Sequence, residues 1–542
     1  MRRSTALPVL AAIFATVAAL AIGSVRLDSA TADEPAHIVA GYLKLVHGRL
    51  DFFREQQPLM NTLSALPLVI AGHHTNPPPA ERVSDHWGVG RDFVYRSGGD
   101  PHRMLFLARL PTIVLFLILC AVAYAFVAAE TSSRAWGLAA ATLVGFCPKI
   151  MAHGRLATVD LAATLFLFAS AALLLRLIRK PSWPIAAALG AVAAAAVLSK
   201  TSCLIFAPFA LVIVAIALAR GRVFEPRRFA ASLLLAMFVA GITVEIFFLS
   251  LARSTDLFLP IREIAANVEV IRAWYSGRQH FKLQYFMGEF SERGWKSYYL
   301  TALALKLTLP SIAIILGALG AAAWKRRLPF GAAASFLFAA LFLGVAAAGE
   351  LALGARYVMP VLPFLYAASC IVLHATLPAG RTALFIGALL AWHVGANIAA
   401  YPSYISYFNP IIGSHRNADL FLIDSNLDWG QDLRRLDQWA RRAGISSIAL
   451  DYFGGGDLDA DLTVEHTSGW GPSGPPLPAC YFAVSRHYYR ASFYPGSPYM
   501  TYADYLAISK ARFVTSIGGS IDVYRVGDDG IRAERRIRLP PL

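Results

Sequence analysis

Apolar residues along this chain are grouped in long runs rather than alternating with polar ones. Eleven runs stand out: Ala6 to Val25, Leu105 to Ala129, Ala135 to Ala152, Leu156 to Leu177, Trp183 to Ser199, Cys203 to Ala219, Phe229 to Leu251, Tyr298 to Ala323, Phe330 to Ala348, Tyr357 to Leu373 and Thr382 to Ala400. Each approaches the roughly 20 residues that a helix needs to cross a hydrocarbon core. The pattern predicts an all-α polytopic membrane protein with about eleven transmembrane helices.

Charge between the runs orients the chain. Threaded from a cytoplasmic N-terminus, the inner turns carry Arg134, then Arg176, Arg179 and Lys180, then Arg220, Arg222, Arg227 and Arg228, then Lys325, Arg326 and Arg327, then Arg381. Only Glu130 and Glu225 oppose them, as the preference for positive inner loops requires. Residues 26–104, 149–160, 252–297 and everything after Tyr401 then lie outside, while the inner side has only short turns. The expected division is a transmembrane domain over 1–400, with outer loops 26–104 and 252–297, and an extracytoplasmic α/β domain over 401–542.

Within the first outer loop, Pro35 suits the first turn of a helix. Ile38, Val39, Tyr42, Leu43, Leu45 and Val46 give it one apolar side, which predicts a helix lying along the membrane surface. Residues 76–101, rich in Pro, Gly, Asp and Arg, read as a loop. Past Tyr401 the spacing predicts a helix over Gln431 to Ala443, started by Asp428, and strands over Ser447 to Tyr452, Tyr481 to Val484 and Ile521 to Val526.

Composition agrees with the membrane reading: 57% hydrophobic and 15% charged residues with a mean hydropathy of +0.53 exclude a water-soluble surface. The net charge of +15 follows largely from the inner loops, so nucleic-acid binding is the poorer explanation. The five cysteines form no disulfide or metal framework. Ala30-Thr31-Ala32 resembles a signal-cleavage pattern, but the preceding apolar run is longer than a signal peptide's, so the first helix is expected to be retained. Asp33 lies outside in either case.

Candidate chemistry gathers on the outer side. Asp33 and Glu34 form a carboxylate pair that suits a general base or a divalent cation, with His37 one turn on; the simpler alternative is that one of the pair caps the helix. Asp160 stands just inside the fourth run, in HGRLATVDLAATLF, where an ionisable group is costly and marks a site. His153 and Arg155 occupy the same string. Lys200, Lys306 and Arg356 are cations near the outer ends of their runs, suited to a phosphate, with interfacial snorkelling as the alternative. Lys306 lies about two turns, roughly 12 Å, below the boundary. In DSNLDWGQDL, Asp424, Asn426 and Asp428 are spaced like calcium ligands, but Trp429 replaces the required glycine and Arg435 the closing glutamate.

The strings DEPAHIVAGYLKLVHGRLDFFREQQPLMNTLSALPL, HGRLATVDLAATLF, GEFSERGWKSYYLTALALKLTLP, GARYVMPVLPFL and YISYFNP with DSNLDWGQDL together resemble the GT-C superfamily of phospholipid-carrier-dependent glycosyltransferases. Within it they are similar to the bacterial protein O-mannosyltransferase and aminoarabinose transferase group, glycosyltransferase family 39-like. That resemblance implies inverting transfer of a sugar from a polyprenyl-phosphate donor to a protein, lipid A or glycan acceptor outside the plasma membrane of a bacterial envelope. It makes Asp33 the catalytic carboxylate, with Glu34 and Asp160 as acidic partners. It also puts Lys200, Lys306 and Arg356 at the donor phosphate, with His37, His153 and Glu289 as accessory residues. Asp33, Glu34 and Asp160 would be the ligands of a divalent metal cation. EQQPL stands where the family pattern has a Pro-Pro-Leu stretch. The rival reading from another class is a transporter or flippase of a lipid-linked sugar, which explains buried charge but not an elaborated outer face.

Overall fold

The computed structural model describes residues 3–76, 82, 84–223, 225–275, 283–325, 328–377, 381–474, 477 and 480–527. The chain is a polytopic helical membrane protein with a small mixed sheet near its C-terminus. Helices α1 (Arg3–Val25), α2 (Glu34–His47), α3 (Pro58–Ile70), α4 (His86–Arg96), α5 (Pro101–Thr131), α6 (Arg134–Gly145), α7 (Pro148–His153), α8 (Asp160–Arg179) and α9 (Trp183–Ser199) form the first half. The second half holds α10 (Phe206–Ala219), α11 (Pro226–Ala252), α12 (Leu259–Tyr275), α13 (Tyr298–Lys306), α14 (Leu309–Trp324), α15 (Phe330–Ala348), α16 (Val361–Thr376) and α17 (Arg381–Ala400).

Every one of the eleven apolar runs is helical, but not all are single full-length helices. Among the described residues seven are long and apolar enough to cross a membrane: α1, α5, α8, α10 with the 3-10 turn before it, α11, α15 and α17. The run from Ala135 to Ala152 breaks before Pro148, and the run from Tyr298 to Ala323 breaks between Lys306 and Pro310. Proline explains both interruptions, because it lacks an N–H and disfavours helix in the residue before it.

The segment between the first two apolar runs departs from the expected surface helix. Glu34 through Lys44 of α2 are all buried, because α3 and α4 pack over the side that the hydropathy pattern leaves polar. The predicted loop over 76–101 contains α4, whose Asp85 side chain accepts from Gly88 N; residues 77–81 and 83 of that loop lie outside the described residues. In the other long loop, β1 (Gln284–Phe286) and β2 (Glu289–Ser291) form a hairpin. Its two turn residues, Met287 and Gly288, both have positive φ, as a tight hairpin turn requires.

Beyond residue 440, β3 (Ser447–Asp451), β4 (Glu465–Thr467), β5 (Tyr481–Ser485), β6 (Arg512–Ile517) and β7 (Ile521–Arg525) form one sheet in the order β4-β3-β5-β7-β6. The pairs β3–β4 and β3–β5 are parallel and the others antiparallel. Strands β3, β5 and β7 match the expected segments; β4 and β6 were not expected. The expected helix forms as Leu433–Arg442, but Asp428 does not cap it. Its carboxylate instead accepts from Gly430 N and His487 N.

Candidate active site

The site is assembled on the linker between α1 and α2. Backbone bonds from Ser29 N to Gln431 O (3.0 Å) and from Ala32 N to Trp429 O (2.9 Å) lay that linker against the DSNLDWGQDL segment. A second segment meets the linker at Gly455, where an added Cβ would fall 2.3 Å from Thr31 O. Asp28, fully buried, is held between Arg155 and Arg435.

Arg109, buried in α5, anchors the end of the linker. Its Nε and Nη2 donate to Glu34 Oε1 (2.8 Å) and Oε2 (2.7 Å), and the remaining N–H groups go to the carbonyls of Val25, Asp28 and Ser29. All five guanidinium N–H groups are thereby satisfied. Glu34 also accepts from Thr31 N, Thr31 Oγ1 and Ala157 N. Burial alone would raise its pKa, but Arg109 and these hydrogen bonds outweigh burial and hold the carboxyl below its ordinary value. Glu34 is therefore an ion-paired brace, with no lone pair left for a base or a metal.

Asp33 is placed differently. It occupies the N-cap position of α2, yet its side chain makes no capping bond. Oδ2 instead accepts from Arg356 Nη1 at 3.1 Å, and the side chain keeps 24% exposure, so solvent or a substrate can reach it. Arg356 sits on a 3-10 turn, Ala355–Val358, whose first N–H donates to the Asn426 side chain. The same Nη1 lies 3.8 Å from Asp160 Oδ2. Lys200 Nζ donates to Asp160 Oδ1 at 2.5 Å and stands over the Tyr357 ring. The Arg356 guanidinium rests 4.2 Å from the Trp429 ring centroid. Arg356 Nε and Asp160 Oδ2 are buried without hydrogen-bond partners.

Asp33, Asp160, Lys200 and Arg356 thus come together from four separate segments, and other expected residues do not join them. Lys306 is buried at the end of α13 and donates to the carbonyls of Ile405 (2.8 Å) and Asn426 (2.6 Å), beside the Phe408 ring. That ammonium ties the end of α13 to the two segments that supply those carbonyls, while Asn409 Nδ2 takes the carbonyls of Ala304 and Leu307 at the break before Pro310. Glu289 is exposed on β2 and accepts from the Trp295 indole. His37, on α2, is buried against α3 and pairs with Asn61. Burial holds its imidazole below the ordinary range against the pull of Asp33 and Asp160. His153 lies 2.9 Å from Lys149 Nζ and faces Trp429 from the side away from solvent.

Among the described residues no group of three His, Cys, Asp or Glu side chains is arranged to hold a metal ion. The three-carboxylate set fails because Glu34 turns to Arg109. The calcium-like spacing in DSNLDWGQDL fails because the Asn426 side chain is bonded to Ala355 N and Tyr298 and Asp428 to two backbone N–H groups.

Sequence reasoning passed over Arg109, Lys149 and Trp429. A signal was present for the first two, since each is a charge inside an apolar run. Trp429 carried none, because an aromatic residue in a polar segment is unremarkable until its neighbours are known.

Residues 102–245, well under half of the chain, match the family model described as dolichyl-phosphate-mannose-protein mannosyltransferase. In that segment the chain resembles the GT-C glycosyltransferases. The match includes Arg109, Asp160 and Lys200, while Asp33 and Arg356 lie outside it. No curated protein matches the sequence. Among solved structures, ArnT from Cupriavidus metallidurans bound to undecaprenyl phosphate is similar over 95% of this chain and 97% of its own, at 14% identity and a TM-score of 0.47. The archaeal oligosaccharyltransferase AglB from Archaeoglobus fulgidus, in complex with an inhibitory peptide and a dolichol-phosphate, is similar over 96% of this chain and 74% of its own, at 11% identity and a TM-score of 0.46.

Proposed function

We propose that this protein is a glycosyltransferase that moves a hexosyl or pentosyl group from a polyprenyl-phosphate donor to a hydroxyl-bearing acceptor, with inversion. The observation that carries the reading is Arg356, shared between a partly exposed carboxylate, Asp33, and a buried one, Asp160, beside the ammonium of Lys200. Asp33 takes the acceptor hydroxyl proton as the acceptor oxygen bonds to the anomeric carbon. The bond from that carbon to the phosphate oxygen breaks on the opposite face, and its electron pair leaves with the polyprenyl phosphate. Arg356 and Lys200 offset the charge that develops there. Asp160 keeps both cations in place. A divalent cation would find Asp33 and Asp160 as ligands, in competition with Arg356 and Lys200.

The reading includes the orientation expected from the basic turns: N-terminus in the cytoplasm, site and C-terminal sheet outside, in a bacterial plasma membrane. Residues 401–542 serve as an outer domain whose first part completes the site, through Trp429.

The deciding experiment incubates purified full-length protein with polyprenyl-phosphate sugar and follows cleavage, with and without envelope acceptors. Release or transfer of the sugar that depends on Asp33 supports the proposal. Passage of intact donor across proteoliposomes without cleavage would identify the transporter instead. Addition of a chelator in the same assay tests the metal.

A further inference from the structure

Asp424 opens the 3-10 turn Asp424–Asn426, and that turn is fastened to the one that carries Arg356. The Asn426 side chain accepts from Ala355 N at 2.9 Å and donates to the Tyr298 hydroxyl at 3.0 Å, while the Ser425 hydroxyl donates to Leu353 O at 3.4 Å. A Cβ on Gly354 would fall 2.3 Å from Ser425 Oγ, so the two turns meet without a gap. The charge of Asp424 accordingly acts on Arg356 and Tyr357 together with those of Asp33 and Asp160.

Nothing local accounts for a carboxylate at this position. Asp424 has a φ of 57°, a left-handed conformation that glycine meets at lower cost. Its side chain accepts from the adjacent Ser425 N, and among the described residues it has no other hydrogen bond and no ion pair. Lys149, whose ammonium feels the same charge, bonds to His153 instead. Among the described residues Asp424 also belongs to no group of three ligands that could hold a metal ion. The residue is partly exposed, so a substrate can reach it.

Where Asp33 meets the acceptor and Arg356 and Lys200 meet the phosphate, the donor sugar has to lie between them. A carboxylate turned to the phosphate would repel it, whereas one beside the sugar ring accepts a hydroxyl proton. We propose that Asp424 accepts a hydrogen bond from a ring hydroxyl of the donor sugar and thereby selects which sugar is transferred. This rests on the glycosyl transfer proposed above and adds the residue that reads the sugar.

A kinetic cycle on the purified full-length protein tests it, with the polyprenyl-phosphate sugar that the parent cleaves and its monodeoxy analogues as donors. Asp424→Gly removes the carboxylate where the backbone conformation already suits glycine. It is expected to lower kcat/KM for the unmodified donor by about 10-fold to 100-fold, the worth of one hydrogen bond to a charged group. The analogue lacking the hydroxyl that Asp424 reads should lose a similar factor with the parent protein and nothing further with Asp424→Gly. Every other analogue should show the full penalty of the substitution. Asp424→Asn, which keeps the turn and an acceptor oxygen, should repeat the cycle with a smaller loss. Equal penalties on every donor would overturn the proposal and make Asp424 a support of the Arg356 turn, and no penalty on any donor would overturn it as well. Absence of cleavage by the parent protein would instead overturn the glycosyl-transfer reading, and this inference with it.

Discussion

Arg356 Nη1 donates to Asp33 Oδ2 at 3.1 Å, although the two residues lie 323 positions apart. The contact sets Arg356 at the meeting point of both site carboxylates, stacked on Trp429. A lysine keeps the charge but cannot make a forked contact and stacks poorly on an aromatic face. Arg356→Lys is therefore expected to lower kcat/KM for the donor by about 10²-fold to 10³-fold, the loss seen when one preorganised charge-stabilising group is removed. Initial rates with donor and acceptor varied separately check this; a defect confined to the acceptor would remove Arg356 from the phosphate.

Asp33→Asn separates catalysis from capping. The side chain makes no cap bond and an amide oxygen can still accept from Arg356, so thermal stability should fall only by the charge part of a partly exposed ion pair, about 1 kcal/mol. Turnover should fall by about 10²-fold or more if the carboxylate is the base. Normal turnover in a folded Asp33→Asn protein would refute that role.

Glu34 and Arg109 should behave as a brace. Removing one partner of a buried, hydrogen-bonded ion pair costs about 3–5 kcal/mol, so Arg109→Met and Glu34→Gln should each reduce the yield of folded protein. The folded pKa of Glu34 is lowered, so its contribution is complete above the ordinary carboxylate range and is lost as pH falls through the lowered value. Size-exclusion profiles and thermal denaturation in detergent report both effects. Selective loss of activity in stable Glu34→Gln would instead give Glu34 a chemical role.

Lys306→Met is expected to leave donor dependence unchanged and to lower stability, by about 1–3 kcal/mol for each buried carbonyl left without its donor. A raised KM for donor in a stable Lys306→Met protein would show the ammonium reaching the phosphate after all.

Asp461 and Asp428 predict how the C-terminal part responds to pH. Burial pushes each carboxyl up to about 7, and Asp461 accepts from Tyr95 across the contact with the first outer loop. Between the ordinary carboxylate pKa of 3.8 and about 7 the folded state binds more protons than the unfolded one. Stability should therefore fall as pH rises through that window. Thermal unfolding from pH 4 to pH 8 should show the decline, and Asp461→Asn, which can still accept from Tyr95, should flatten it. An unchanged slope in that variant would assign the effect elsewhere.

What the chain by itself determined was set by one-dimensional costs. Twenty apolar residues in a row have few places to go but lipid, so all eleven helical runs could be read directly. Charges at the outer ends of such runs need a reason, which singled out Asp160, Lys200 and Arg356 and, with its acidic neighbour, Asp33. The same reasoning could not tell Asp33 from Glu34, or Arg356 from Lys306, because the members of each pair carry the same sign of charge near the same ends of the apolar runs. Only the tertiary structure decided between them. Arg109 of α5 saturates Glu34 and turns it inward, and the carbonyls of Ile405 and Asn426 take the Lys306 ammonium. A buried charge must be matched by whatever donors and acceptors surround it, and those arrive from segments tens to hundreds of residues away.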